Sequence, residues 1–139
     1  MKFYEASSRI EAGPDAIWTI LADGANYSSW DSGVVSLEGT IGLGNKLKVT
    51  SEANPKRAFP VKVTAFDPGK GMVWTGGMPL GLFKGERTYT LTAQGDVTRF
   101  QMREEYTGLL HKMIFKSIPD LQSSFEKFAN GLKAKAEGA

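Results

Sequence analysis

The chain has 139 residues, no cysteine, 17 basic and 15 acidic side chains, and a net charge of +2. One domain of this length buries enough surface to stand without staples, and the missing cysteines exclude disulfides, thiolate metal sites and cysteine nucleophiles. The near balance of charge offers no general attraction to nucleic acid, no run approaches the length of a membrane span, and Met1-Lys2-Phe3-Tyr4-Glu5 lacks the apolar stretch of a signal peptide, so a soluble cytoplasmic protein is expected.

No internal repeat or low-complexity linker interrupts the chain, so residues 1–139 read as a single domain. Residues 3–11 alternate, with Ala6, Ser8 and Ile10 on one face, and predict a strand ending at Gly13-Pro14. Pro14 suits the first turn of a helix and Asp15 the positive end of its dipole, while Ile17, Trp18 and Leu21 follow at helical spacing. A short helix over 14–22 results, stopped by Asp23-Gly24. A second helical turn over 26–30 is expected, with Asn26 as its cap.

From 33 to 107 the period changes to two, with strands expected at 34–39, 44–53, 59–67, 71–77, 83–93 and 97–107. Val61, Val63 and Ala65 alternate with Lys62, Thr64 and Phe66, and Phe83, Gly85, Arg87, Tyr89 and Leu91 share one face of the next long strand but one. Asp67-Pro68-Gly69 and Gln94-Gly95-Asp96 mark tight turns, hence an antiparallel meander. Residues 109–136 return to helical period, with Leu110, Ile114, Leu121, Phe125, Phe128 and Leu132 as an apolar stripe that Pro119 kinks or splits. The fold class is α+β: a curved antiparallel sheet of six or seven strands wrapped around a long C-terminal helix, with two short helices after the first strand.

Such a sheet and helix close around a space, and the residues facing it decide whether it is filled. Ala6, Ser8, Ser51, Ala65 and Gly85 are small, and Trp30, Trp74, Met78, Tyr89, Met102 and Tyr106 are large and adaptable, a mixture that leaves room and lines it. Arg87 and Glu104 are the one charged pair on the apolar face of adjacent strands. The Gln94-Gly95 turn sets Arg87 either opposite Met102 and diagonal to Glu104, or, with the pairing shifted by two, directly opposite Glu104. A charge in an apolar space needs a partner or a polar ligand group. The pair is thus a structural salt bridge, or an anchor for a carbonyl, hydroxyl or carboxylate. Gly76-Gly77-Met78-Pro79-Leu80-Gly81-Leu82-Phe83 lacks the lysine of a phosphate loop and reads as a plain turn, a lip over the entrance, or a dimer contact.

Other chemistry finds no support. His111 is the only histidine, a surface residue by expectation, and no metal set or serine nucleophile has its partners. Glu104 and Glu105 point to opposite faces of a strand and make no glycosidase pair. No cofactor is expected.

The opening Ile10-Glu11-Ala12-Gly13-Pro14-Asp15-Ala16-Ile17-Trp18, with Leu21, Asp23, Tyr27 and Trp30 after it, resembles the first strand and following helix of the START-like, or SRPBCC, superfamily. Gly85-Glu86-Arg87-Thr88-Tyr89 and Met102-Arg103-Glu104-Glu105-Tyr106-Thr107-Gly108 resemble the paired late strands of a bacterial subgroup, and residues 121–133 its closing helix. The resemblance covers nearly the whole chain and implies the helix-grip fold and a binding mode, not a reaction. Its implied function is to hold a hydrophobic molecule of lipid, polyketide or aromatic type between sheet and helix, lined by Trp30, Trp74, Met78, Phe83, Arg87, Tyr89, Met102, Glu104, Tyr106 and Phe125, in a monomer or weak homodimer. One alternative is a polyketide cyclase/dehydrase-like enzyme, with Glu104 as general base, Arg87 on an enolate oxygen, and Tyr89 or Tyr106 as acid. Another is a protein–protein interaction module.

Overall fold

The computed structural model describes residues 2–117 and 120–138. Strand β1 (Lys2–Ile10) leads into helix α1 (Pro14–Leu21) and a 3₁₀ helix over Gly24–Ser29. Six strands follow, β2 (Val34–Glu38), β3 (Lys46–Ser51), β4 (Asn54–Asp67), β5 (Gly71–Met78), β6 (Phe83–Gln94) and β7 (Val97–Thr107). Helices α2 (His111–Ser117) and α3 (Gln122–Gly138) close the chain. Of the two arrangements the sequence leaves open for this segment, a kinked helix or a split one, the structure has the split. Pro119, the expected cause of the break, lies outside the described residues.

All neighbouring strands are antiparallel, in the order β1-β7-β6-β5-β4-β3-β2. β2 to β7 form a plain meander, and β1 adds itself beside β7. Gly95, at φ +69°, takes the positive-φ position of the two-residue turn joining Gln94 to its partner Val97. That turn sets the register of the two longest inward rows.

Two features depart from the alternation. Between Val63 and Ala65 the pairing with β5 slips, with Val63 opposite Trp74 and Ala65 opposite Val73. Thr64 is the extra residue of a bulge, and its hydroxyl bonds Thr75 Oγ1 at 2.8 Å. The bulge swaps the parity: Ala65, expected inward, is exposed, and Phe66 packs on Trp18 at 5.4 Å. β4 also begins five residues earlier than expected, running through Pro55 and Pro60. Its pairing with β5 starts only at Lys62, so residues 54–61 pair with β3 alone and the missing N–H groups of the prolines interrupt no ladder on the other side.

α1 forms as expected, with Pro14 in its first turn, Asp15 beside it, and Ile17 and Leu21 fully buried one turn apart. Asn26 does not cap the 3₁₀ helix. It lies inside it and donates to Asp23 Oδ2 at 2.6 Å.

The helix α3 runs along the open side of the sheet from Gln122, beside Glu5, to Glu137, beside Glu11. The Gln122 side chain accepts from Glu5 N–H at 3.4 Å and donates to Glu5 C=O at 2.8 Å, so a side-chain amide takes the place of a neighbouring strand at the β1 edge. Ser8 Oγ donates to Ala129 C=O at 3.0 Å, and Lys133 Nζ donates to Arg9 C=O at 2.6 Å. Ala6 and Ser8, two of the small inward residues, thus lie under this helix and bring it close. On its other flank, a Cβ added at Gly131 would stand 1.9 Å from the carbonyl oxygen of Asp31.

Ile10, Leu47, Val63, Met72, Phe100 and Leu132 fill the end of the half-barrel nearest α1 and are almost wholly buried. Above them Tyr27, Tyr89 and Phe128 form an aromatic layer, with Phe128 at 5.4 Å from Tyr27 and 5.8 Å from Tyr89. The opposite end, where the β3–β4 and β5–β6 turns, the start of β1 and α2 gather, is not filled.

Candidate ligand-binding site

A pocket of about 440 Å³ opens between the sheet and α3 at this end. Its sheet wall comes from β2 to β7 with Ser32 and Gly33 ahead of β2, and its helical wall from Ile114 of α2 and Leu121, Ser124, Phe125 and Phe128 of or next to α3. Of the ten residues expected to line it, eight do: Trp74, Met78, Phe83, Arg87, Met102, Glu104, Tyr106 and Phe125.

Trp30 and Tyr89 do not. Trp30 packs on Tyr27 at 5.6 Å and on the far side of Phe128 at 5.2 Å, which separates it from the space. Tyr89 lies behind Trp74, at 5.0 Å, within the aromatic layer. Alternation gives the face of a strand but not the depth along it, and Tyr89 is too near the filled end.

Arg87 of β6 stands directly opposite Glu104 of β7, the second of the two registers open to the sequence. Arg87 Nε donates to Glu104 Oε1 at 2.9 Å, and both side chains are mostly withdrawn from water, at 22% and 14% exposure. Tyr106, two residues on and on the same face, donates its hydroxyl to Glu104 Oε2. The guanidinium also lies 4.8 Å from the centroid of the Phe125 ring. Phe83 stacks on Tyr106 at 5.8 Å, and Phe115 meets it edge-on at 5.4 Å, fixing the phenol from both sides.

The electrostatics follow from this packing. Burial opposes the charge of Arg87, but Glu104 and then Tyr89 more than offset it, so its pKa is raised and it stays cationic. Burial, reinforced by Glu104, pushes the Tyr106 hydroxyl well up, so it remains a donor. Arg87, Glu104 and Tyr106 form one neutral unit in which both carboxylate oxygens already accept a hydrogen bond. Among the described residues no group of histidine and acidic side chains is arranged to hold a metal ion.

Sequence reasoning misses Arg57 and Phe59, which line the pocket from the early part of β4, with the guanidinium 5.1 Å from the ring. Phe59 shares the parity of Val61 and Val63, and that continuation was the available signal. Leu121, Ile114 and Phe128 lie on the apolar stripe of the C-terminal segment. His111, expected at the surface, is half-buried, with Nδ1 at 2.9 Å from the Gly108 carbonyl.

A half-barrel gripping a terminal helix is the architecture of START-like domains. Residues 2–137 match the family described as polyketide cyclase / dehydrase and lipid transport, and the chain belongs to it. An aromatase/cyclase from a Streptomyces species shares the fold with a TM-score of 0.75 at 10% identity, covering 97% of this chain and 93% of its own. A START superfamily protein from Mycobacterium smegmatis has a TM-score of 0.71 at 16% identity, covering 96% of each chain. Norcoclaurine synthase from Thalictrum flavum, in complex with a transition-state analogue, has a TM-score of 0.72 at 16% identity, covering 97% of this chain and 93% of its own. These likenesses are of fold. No curated protein matches the sequence. No helix among the described residues is long and apolar enough to cross a membrane.

Proposed function

We propose that the chain binds a neutral, mainly apolar small molecule of lipid, polyketide or aromatic type, and turns one hydroxyl or carbonyl of it towards Arg87, Glu104 and Tyr106. The observation that carries this reading is the pairing of a mainly apolar pocket of about 440 Å³ with a single polar cluster that neutralises itself. A ligand of that volume is the size of a small polycycle or a short acyl chain. A charged ligand group would leave Arg87 or Glu104 without its partner, whereas a neutral one adds a hydrogen bond at no such loss.

Binding fits the site better than catalysis. The two fold relatives with enzyme names lend support only to a space of suitable shape. In this chain Glu104 holds two donors, so a base role requires one of them to leave first. A protein–protein module is the weaker reading too, because it expects a filled interior and this one is open at one end.

Native mass spectrometry of protein purified from its own host tests the proposal, with extraction of whatever is bound. A recurring neutral apolar compound, displaced by an apolar fluorescent dye and held less tightly by Arg87→Met, is the expected result. A protein that carries nothing and takes up no dye would overturn it. Turnover of a bound compound, lost in Glu104→Gln, would move the protein to the enzymes.

A further inference from the structure

The end of the molecule that carries the pocket also carries the two most exposed large apolar side chains among the described residues, Leu80 and Leu109, together with Met113, which Leu43 of the β2–β3 connection equals in exposure. Leu80 at the β5–β6 turn is 91% exposed, Leu109 before α2 is 83% exposed, and Met113 on α2 is 67% exposed. Met78 is half-exposed beside them and lines the pocket as well. These residues form one surface. Leu109 N–H donates to Gly81 C=O at 3.0 Å, and Leu110 N–H donates to Leu82 C=O at 2.8 Å, tying the turn to the α2 segment.

Leu80 is held out at a conformational cost. Its φ is +62°, the left-handed region that Gly or Asn occupies readily and a branched apolar residue does not. It is the only non-glycine residue at positive φ among those described, and it points into water. A plain turn between Pro79 and Gly81 needs no leucine there.

The charge of this surface is one-sided. Residues 78–84 and 107–116 contain Lys84, Lys112 and Lys116 and no acid. All three lysines are exposed, and Lys84 pairs with a flanking acid, Glu86 at 3.2 Å. Arg57 adds a further exposed cation on the pocket rim.

We propose that this end docks on an anionic phospholipid bilayer, with Leu80, Leu109 and Met113 entering the acyl boundary and the lysines meeting the headgroups. Protruding apolar side chains on two segments that carry cations and no acid match a surface that is apolar inside and negative at its face. A second copy of the chain is a poorer occupant. In a two-fold interface Lys112 and Lys116 would meet each other, and no acid in either segment would answer them. Docked in this way, the pocket mouth faces the lipid rather than water. The proposal does not rest on what the pocket holds.

The full chain, mixed with vesicles of phosphatidylcholine alone or with phosphatidylglycerol added, tests it by co-sedimentation. We expect binding to the anionic vesicles only, weakened by high salt. Both Leu80→Asp/Leu109→Asp and Lys112→Glu/Lys116→Glu are expected to lower it at least about tenfold while the thermal transition stays in place. No binding to anionic vesicles, or equal binding of the leucine double variant and the wild type, would overturn the proposal. Sedimentation velocity on the same samples gives the remaining outcome: a dimer that Leu80→Asp separates would assign the patch to a second copy and also overturn it.

Discussion

The Arg87 guanidinium lies over the ring of Phe125, 4.8 Å from its centroid, and so joins the ion pair on the sheet to the helix that closes it. The contact places the half-buried Arg87 between a carboxylate and an aromatic face. Sheet and helix are thereby coupled at the polar cluster as well as through apolar packing.

Removing Arg87 alone strands Glu104 in a space with little water. Arg87→Met is expected to lower stability by about 3 kcal/mol in urea denaturation. Arg87→Met/Glu104→Met removes both charges and should recover most of that loss. Equal loss in the single and double variants would show that the pair matters through shape and not charge.

High pH should act through the tyrosines. Tyr27, Tyr89 and Tyr106 are all raised above their ordinary value of 10.0, chiefly by burial. The folded state holds these protons more tightly than the unfolded chain, so their contribution is fully present below the ordinary value and is lost as pH rises above it. Phenolate absorbance from these residues should therefore appear together with loss of near-ultraviolet circular dichroism. A phenolate step complete before any structural change would contradict the burial of these hydroxyls.

The approach of Asp31 to Gly131 predicts an uncommon sign for a helical substitution. Gly→Ala inside a helix ordinarily stabilises by about 1 kcal/mol. At Gly131 the new methyl would meet backbone at 1.9 Å, and backbone cannot swing away. Gly131→Ala should destabilise by about 1–3 kcal/mol, whereas Gly138→Ala, with nothing within 4 Å, should not. Thermal melts of the two variants separate close packing from helix propensity.

Gly85 offers a way to close the pocket beside its polar cluster, since a Cβ there would lie 3.9 Å from the Glu104 carboxyl carbon. A Cβ there would lie 3.5 and 3.6 Å from ring carbons of Tyr106, ordinary contact distances. Gly85→Ala should fold with stability unchanged or raised by about 0.5 kcal/mol. Gly85→Leu sends its larger side chain into the space and should weaken apolar dye binding at least about tenfold, by the area it withdraws from the ligand. Full dye affinity in Gly85→Leu would place the dye elsewhere.

The sequence carries the architecture well because period two is unbroken along β6 and β7. Arg87, Tyr89, Glu104 and Tyr106 all fall on the face their parity predicts, and Gly95 narrows the hairpin to two registers. What chose between them is the length of the turn, which no residue type states by itself. The bulge at Thr64 is hidden for a related reason. No glycine or proline marks it, and one extra residue in a ladder leaves no trace in hydrophobicity until Ala65 and Phe66 are seen exchanged. Trp30 and Tyr89 show the remaining gap: their residue types announce burial, but only the closing of the half-barrel decides which aromatic rings face the space and which lie behind it. The bond from Tyr106 to Glu104, by contrast, was within reach, since residues two apart on a strand share a face.

The amide of Gln122 has a second role beyond fastening α3. By filling the backbone groups of Glu5, it blocks the middle of the nine-residue β1 edge against pairing with an extended chain. Loosening of the last helix therefore does two things at once: it opens the pocket and it uncovers a template for intermolecular strand addition. The same side chain that completes the grip also occupies an outward-facing residue of one of the two edge strands.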